Sequence, residues 1–197
     1  MGYYIRVLGK NPDNISLLDL RVKLHPAILT VAQGTEDGWE QVILTHDAGQ
    51  EIALVEKNLV VDGQLGADEL NEFIEEVAHY KPESAVTWLR EFLPTVKVIY
   101  AFQVFSGTDV DDGWTPLHRL YSAVWNHAGG ILQADGEGFS DEAGFTILWQ
   151  FADTARGVWN MGTLQRGQWV HFEMDLGNEL QREAFKRGEV PQGAKIV

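Results

Sequence analysis

The residues best spaced for chemistry lie in two short stretches of the second half of the chain. Asp135, Glu137, Asp141 and Glu142 put four carboxylates within eight residues, among Gly129, Gly130, Gly136 and Gly138. From Leu120 to Ala155 no lysine or arginine is present to neutralise them. Residues 168–176 alternate in character. In an extended chain Val170, Phe172, Met174 and Leu176 fall on one side, and Trp169, His171, Glu173 and Asp175 on the other. His171, Glu173 and Asp175 together offer an imidazole and two carboxylates to a divalent cation. A metal-bound water, with Glu137 as general base, would then make the chain a hydrolase. That chemistry requires the acidic loop, through Asp135 and Glu137, to converge on the strand. The plainer account of each stretch is structural: acidic glycine-rich loops serve turn geometry, and an alternating strand has one wet face.

Other chemistry is excluded by what is missing. There are no cysteines, so thiolate zinc sites, iron–sulfur clusters, disulfides and cysteine nucleophiles are ruled out. Residues 61–70 resemble the back half of a calcium loop running into its exit helix, but the template's first and third ligand positions fall on Asn58 and Val60, and a valine side chain cannot ligate. Gly129-Gly130 follows a helical segment instead of preceding one, and Gly136 and Gly138 lack a third spaced glycine and a following lysine, so no phosphate cradle is formed. No Gly-x-Ser-x-Gly elbow occurs. The sequence calls for no cofactor.

Charge carries the preferred functional reading. Fifteen Lys and Arg stand against 29 Asp and Glu, a net charge of −14, of which −12 lies between residues 51 and 150. Such a field disfavours nucleic acid and anionic membrane as partners and steers basic proteins toward the surface. The expected function is therefore a non-catalytic binding protein for a basic protein partner, of antidote, inhibitor or adaptor type. Loop carboxylates at Asp109, Asp111, Asp112, Asp135, Glu137, Asp141 and Glu142 would steer, and Trp114 and Phe139 beside them would anchor. Trp39 and Trp159, also next to turn residues, are further candidate anchors among seven tryptophans. The absence of a leader-like start or a long apolar run gives a cytoplasmic location as the expectation.

The elements that must position these residues follow from periodicity. Residues 3–8 read as a first strand, and three further β-prone runs at 27–32, 39–45 and 52–61, separated by turn clusters, predict an antiparallel meander. Residues 15–24 fit neither period cleanly. The period then changes to 3.6, with Leu70, Phe73, Ile74 and Val77 on one face of a helix over 68–79, and a second helix over 82–93. A strand over 96–105 follows, then a helix opened by Thr115 as N-cap and Pro116 at the first helical position. Strands at 131–134, 145–151 and 168–176 and a short helix at 178–186 complete the order. Helices do not alternate strictly with strands, so the fold class is α+β. It is expected to be a mainly antiparallel sheet with helices packed on one face, the helices at 68–79 and 82–93 covering strand 96–105. The chain reads as one domain, and the period switch near Asp62 offers a subdivision into a β-rich 1–62 and an α+β 66–197.

Overall fold

A computed structural model describes residues 2–197. In chain order the elements are β1 (Tyr3–Gly9), α1 (Leu17–Leu24), β2 (Ile28–Gly34), β3 (Trp39–Thr45), β4 (Glu51–Leu59), α2 (Leu65–Glu76), α3 (Glu83–Phe92), β5 (Val98–Val104), α4 (Trp114–Ala128), β6 (Ile131–Ala134), β7 (Gly138–Phe139), β8 (Val158–Gln165), β9 (Gln168–Asp175), α5 (Glu179–Lys186) and β10 (Lys195–Ile196). This mixture of helices with antiparallel sheet is α+β. The chain forms two compact units, neither of them contiguous: residues 1–68 with 96–130, and residues 69–95 with 131–197. The chain first leaves the first unit after residue 68, and residues 96–130 return to it. β5 belongs to the first unit, and α3 with most of α2 to the second.

The first unit is built on strands in the order β2-β3-β4-β5-β1, every neighbouring pair antiparallel. Register explains its core. Val42, Val55, Phe102 and Ile5 are successive cross-strand partners, and the row beside it runs Lys57, Tyr100, Val7. Side chains two residues apart on a strand share a face, so these rows lie on the same side of the sheet, and all but Lys57 are buried there. α4 covers that face, Tyr121 meeting Phe102 edge-on at 6.4 Å between ring centroids. Residues 15–24, which fit neither period, are the helix α1. Leu17, Leu20 and Leu24 are buried at helical spacing, while Leu18 and Val22 are 70% and 72% exposed on the other side. Apolar residues on both faces blurred the pattern. Ser16 caps the helix by accepting from the Asp19 amide.

The second unit has its own core of Trp149, Phe151, Met161, Phe172, Met174, Leu176 and Phe185. Its sheet pairs β8 with β9, extended by β10, and α5 contributes Phe185 after an Asn178 N-cap. The alternation read from residues 168–176 holds where it matters: Phe172, Met174 and Leu176 are buried, and Trp169, His171 and Glu173 are half-buried on the opposite face. The strand expected at 145–151 does not form. Its backbone amides go instead to scattered acceptors: Thr146 donates to the Asn160 carbonyl, Ile147 to that of Phe139 and Trp149 to that of Lys81. Buried backbone must be hydrogen-bonded, and an apolar run can meet that need without joining a ladder. Conversely β8, over 158–165, is a strand that the sequence did not announce.

Candidate functional site

Within the first unit, the acidic residues singled out by the sequence gather around the entry to α4. A short 3-10 turn, Ser106–Asp109, leads into Asp111 and Asp112, which are exposed. Gly113 then passes so close to the preceding turn that a Cβ there would lie 2.3 Å from the Gly107 carbonyl oxygen, so this position needs glycine. α4 begins at Trp114, one residue before the expected N-cap, with Gly113 as the cap and no side-chain capping bond. Pro116 is tolerated there because the first amides of a helix have no intrahelical partner. Asp112 holds a left-handed backbone, φ 59°, a conformation that Asp and Asn adopt more readily than other side chains.

Asp111 and Asp112 share a cleft of about 340 Å³ with His46, Asp47, Thr115 and Arg119. Its apolar wall is Leu24, Pro26, Ala27 and Pro116. Asp47 sits in the β3–β4 turn, 2.7 Å from Nδ1 of His46. Neither Asp111 nor Asp112 spends its carboxylate on an internal partner among the described residues. Trp114, immediately before Thr115, stays 41% exposed, its ring resting on His118 at 5.8 Å and His118 in turn on Tyr121 at 5.3 Å. Asp109 is exposed on the same loop. The arrangement can hold a cationic head group against carboxylates and its aliphatic stem against the apolar wall. Sequence reasoning missed His46, Asp47, Arg119 and the apolar wall. They come together only through the pairing of β3 and β4 and the placing of α1 and α4, and no local pattern encodes that.

The remaining acidic residues belong to the second unit and do different things. Asp135 and Glu137 are half-buried at the tight β6–β7 turn, and Glu142 is exposed. Phe139, expected as a surface anchor, is 1% exposed and packs edge-on against Phe73 at 5.5 Å, so it is a core residue. Trp39, at 3% exposure, is likewise interior, its indole N–H given to the Ile15 carbonyl. Trp159 lies half-buried in β8 and donates to Thr146 Oγ1.

Asp141 is the residue at which loop and strand meet. It is buried, and its Oδ1 accepts from the amides of Ala143 and Phe145 at 2.9 and 3.0 Å, which winds the loop around the carboxylate. Its Oδ2 lies 2.5 Å from Nε2 of His171, whose ring stacks on Phe145 at 3.9 Å and 9°. A carboxylate so held fixes the imidazole's orientation and leaves Nδ1 as its remaining polar edge. Glu173 pairs with Lys195 at 3.1 Å, and Asp175 accepts from the Gly177 amide at 2.8 Å. The three residues considered for metal binding, His171, Glu173 and Asp175, thus each have a separate partner. Among the described residues no group of three His, Asp or Glu side chains is arranged to hold a metal ion.

The chain matches no family model, and comparison with curated proteins and with solved structures returns no similar chain. No helix among the described residues is long and apolar enough to cross a membrane.

Proposed function

We propose that this chain is a non-catalytic binding protein for a basic protein partner, and that the cleft at the entry to α4 receives a lysine or arginine side chain of that partner. The observation that carries the proposal is the placing of Asp47, Asp111 and Asp112 on one cleft with the apolar wall of Leu24, Pro26, Ala27 and Pro116. A long basic side chain is amphipathic: its stem lies on apolar surface while its head stays at the charged rim. Trp114 supplies the exposed aromatic that steering charge cannot replace. The net charge of −14 serves the encounter, raising the association rate with a cationic partner.

The test uses a fluorescent arginine-rich peptide and fluorescence anisotropy. Asp111→Asn with Asp112→Asn preserves side-chain shape, and Asn tolerates the left-handed backbone at 112. The expected result is a loss of affinity of roughly tenfold or more, with Trp114→Ala giving a comparable loss. Affinity should also fall as salt rises toward about 0.15 M, where charges more than about 8 Å apart are screened. Binding indifferent to salt and to these substitutions, or no binding at low salt, would remove the proposal.

A further inference from the structure

Four places in the chain put an aspartate directly before a glycine: Asp37-Gly38, Asp62-Gly63, Asp112-Gly113 and Asp135-Gly136. Such a pair can react with itself. The glycine nitrogen attacks the carboxyl carbon of the aspartate side chain, and a residue without a Cβ leaves that approach open. The N–Cγ bond forms as the Cγ–OH bond breaks, and loss of one water leaves a succinimide ring. Water then adds back at either ring carbonyl. Addition at the side-chain carbon restores aspartate. Addition at the main-chain carbon breaks the original peptide C–N bond, and the chain then runs through the side chain as isoaspartate of unchanged mass. No oxidant, metal or second reactant enters. In a folded chain the pair that reacts is the one whose carboxyl and glycine N–H are both free to meet.

The structure separates the four. The Gly38 N–H donates to the carbonyl of Thr35 at 3.3 Å and to its Oγ1 at 3.1 Å. The Gly113 N–H donates to the Val110 carbonyl at 3.0 Å, and the residue is wedged against the turn that precedes it. Asp135 is half-buried and partnered, and its turn is held between the paired strands β6 and β7. Asp62-Gly63 escapes all these restraints. Both residues are exposed, Asp62 makes no hydrogen bond or ion pair among the described residues, and the Gly63 N–H has no acceptor there. A Cβ built on Gly63 would have no atom within 4 Å beyond its chain neighbours. One bond closes the turn, from the Gln64 N–H to the Val61 carbonyl at 3.0 Å, with Gly63 at φ 76° in the position that favours glycine. We infer that Asp62 is the residue at which this chain isomerises to isoaspartate, and that the α-carboxylate exposed there is the substrate for an S-adenosylmethionine-dependent carboxyl methyltransferase. Isomerisation lengthens the main chain by one carbon between β4 and α2. The two elements meet closely at that joint, since a Cβ on Gly66 would lie 2.5 Å from the Leu59 carbonyl oxygen. The inference is independent of the basic-partner proposal, because neither Asp62 nor Gly63 lines the cleft at α4.

The experiment ages the intact chain at neutral pH and physiological temperature, folded in buffer and unfolded in urea. Isoaspartate is read by methyl transfer from labelled S-adenosylmethionine with an isoaspartyl methyltransferase, and located by peptide mapping with electron-transfer fragmentation. In the folded chain Asp62 should exceed Asp37 and Asp112 by roughly tenfold, the scale of one hydrogen bond that must first be released. In urea the four pairs should react at similar rates, because the fold no longer selects among them. Asp62→Glu is an exposed change that leaves the fold unburdened, and it would have to close a larger ring. It should remove most of the methyl label from the folded protein. Asp62→Asn passes through the same ring with loss of ammonia, so that residue should gain the mass difference between amide and carboxyl. Isoaspartate at Asp37, Asp112 or Asp135 equal to that at Asp62 in the folded chain overturns the inference. So does methyl label unchanged in Asp62→Glu, or a folded chain that accumulates none.

Discussion

At the scale of single residues, Tyr100 shows how the core tolerates polarity. It is fully buried between Lys57 and Val7 in its row, and its hydroxyl has no hydrogen-bond partner among the described residues. Burial drives its pKa well above the ordinary value of 10.0, with the charge of Asp13 adding to the effect. The sign follows directly. A group whose folded pKa is raised contributes stability that is complete below the unfolded pKa and is lost as pH rises beyond it. Tyr100→Phe removes both the unpaired hydroxyl and this linkage. At neutral pH the variant should be as stable as the parent or up to about 1 kcal/mol more stable. Its advantage should grow above about pH 10, where each pH unit costs the parent about 1.4 kcal/mol through this one group. Urea unfolding at pH 7 and pH 11 checks both parts, and a variant that loses stability equally at the two values would contradict them. Lys57 acts with the opposite sign. Its lowered pKa makes stability rise with pH between that value and the ordinary 10.5, and because the side chain is only half-buried the effect is smaller.

At the scale of elements, the β8–β9 hairpin turns on Arg166 and Gly167, with φ of 51° and 79°. Positive φ at both central residues is the geometry of the tight turn that matches strand twist, and Asn or Gly suits its first position better than Arg. Arg166→Asn should therefore raise stability by roughly 0.5–1 kcal/mol, and Arg166→Val should lower it by more. Thermal melting of the two variants beside the parent is the check. The same turn explains what was legible in the sequence. Clean alternation marks residues 168–176, but Arg-Gly is not one of the strong hairpin signals and Gly162 interrupts the strand, so β8 carries no clear local signature. Residues 145–151 erred the other way, because apolar content reports burial and only hydrogen-bond partners decide whether a buried segment is a strand. The helices at 83–92 and 114–128 were legible because their apolar stripes are regular. At the sites, Asp111, Asp112 and Trp114 were visible as charge and aromaticity on a loop. The meeting of Asp141 with His171 was not, since a separation of thirty residues leaves no local trace.

At the scale of the whole molecule, the two units interleave along the chain, crossing after residues 68, 95 and 130. A fragment of residues 1–95 therefore contains four of the five strands of the first unit and lacks β5, which lies between β4 and β1. It should show no cooperative thermal transition by circular dichroism, whereas residues 1–130 supply every strand of that unit. A sharp melt from the shorter fragment would mean that β4 and β1 stand without their shared neighbour. The register also sets a clock on synthesis. Tyr3 pairs with Val104, so β1 waits on the nascent chain for a partner made some hundred residues later. At about 5–20 residues per second that wait is on the order of 5–20 seconds. Throughout it, the β1 edge that β5 will occupy is bare on the nascent chain. Chaperone capture would matter most in that interval, before the residues that line the cleft at the entry to α4 are complete.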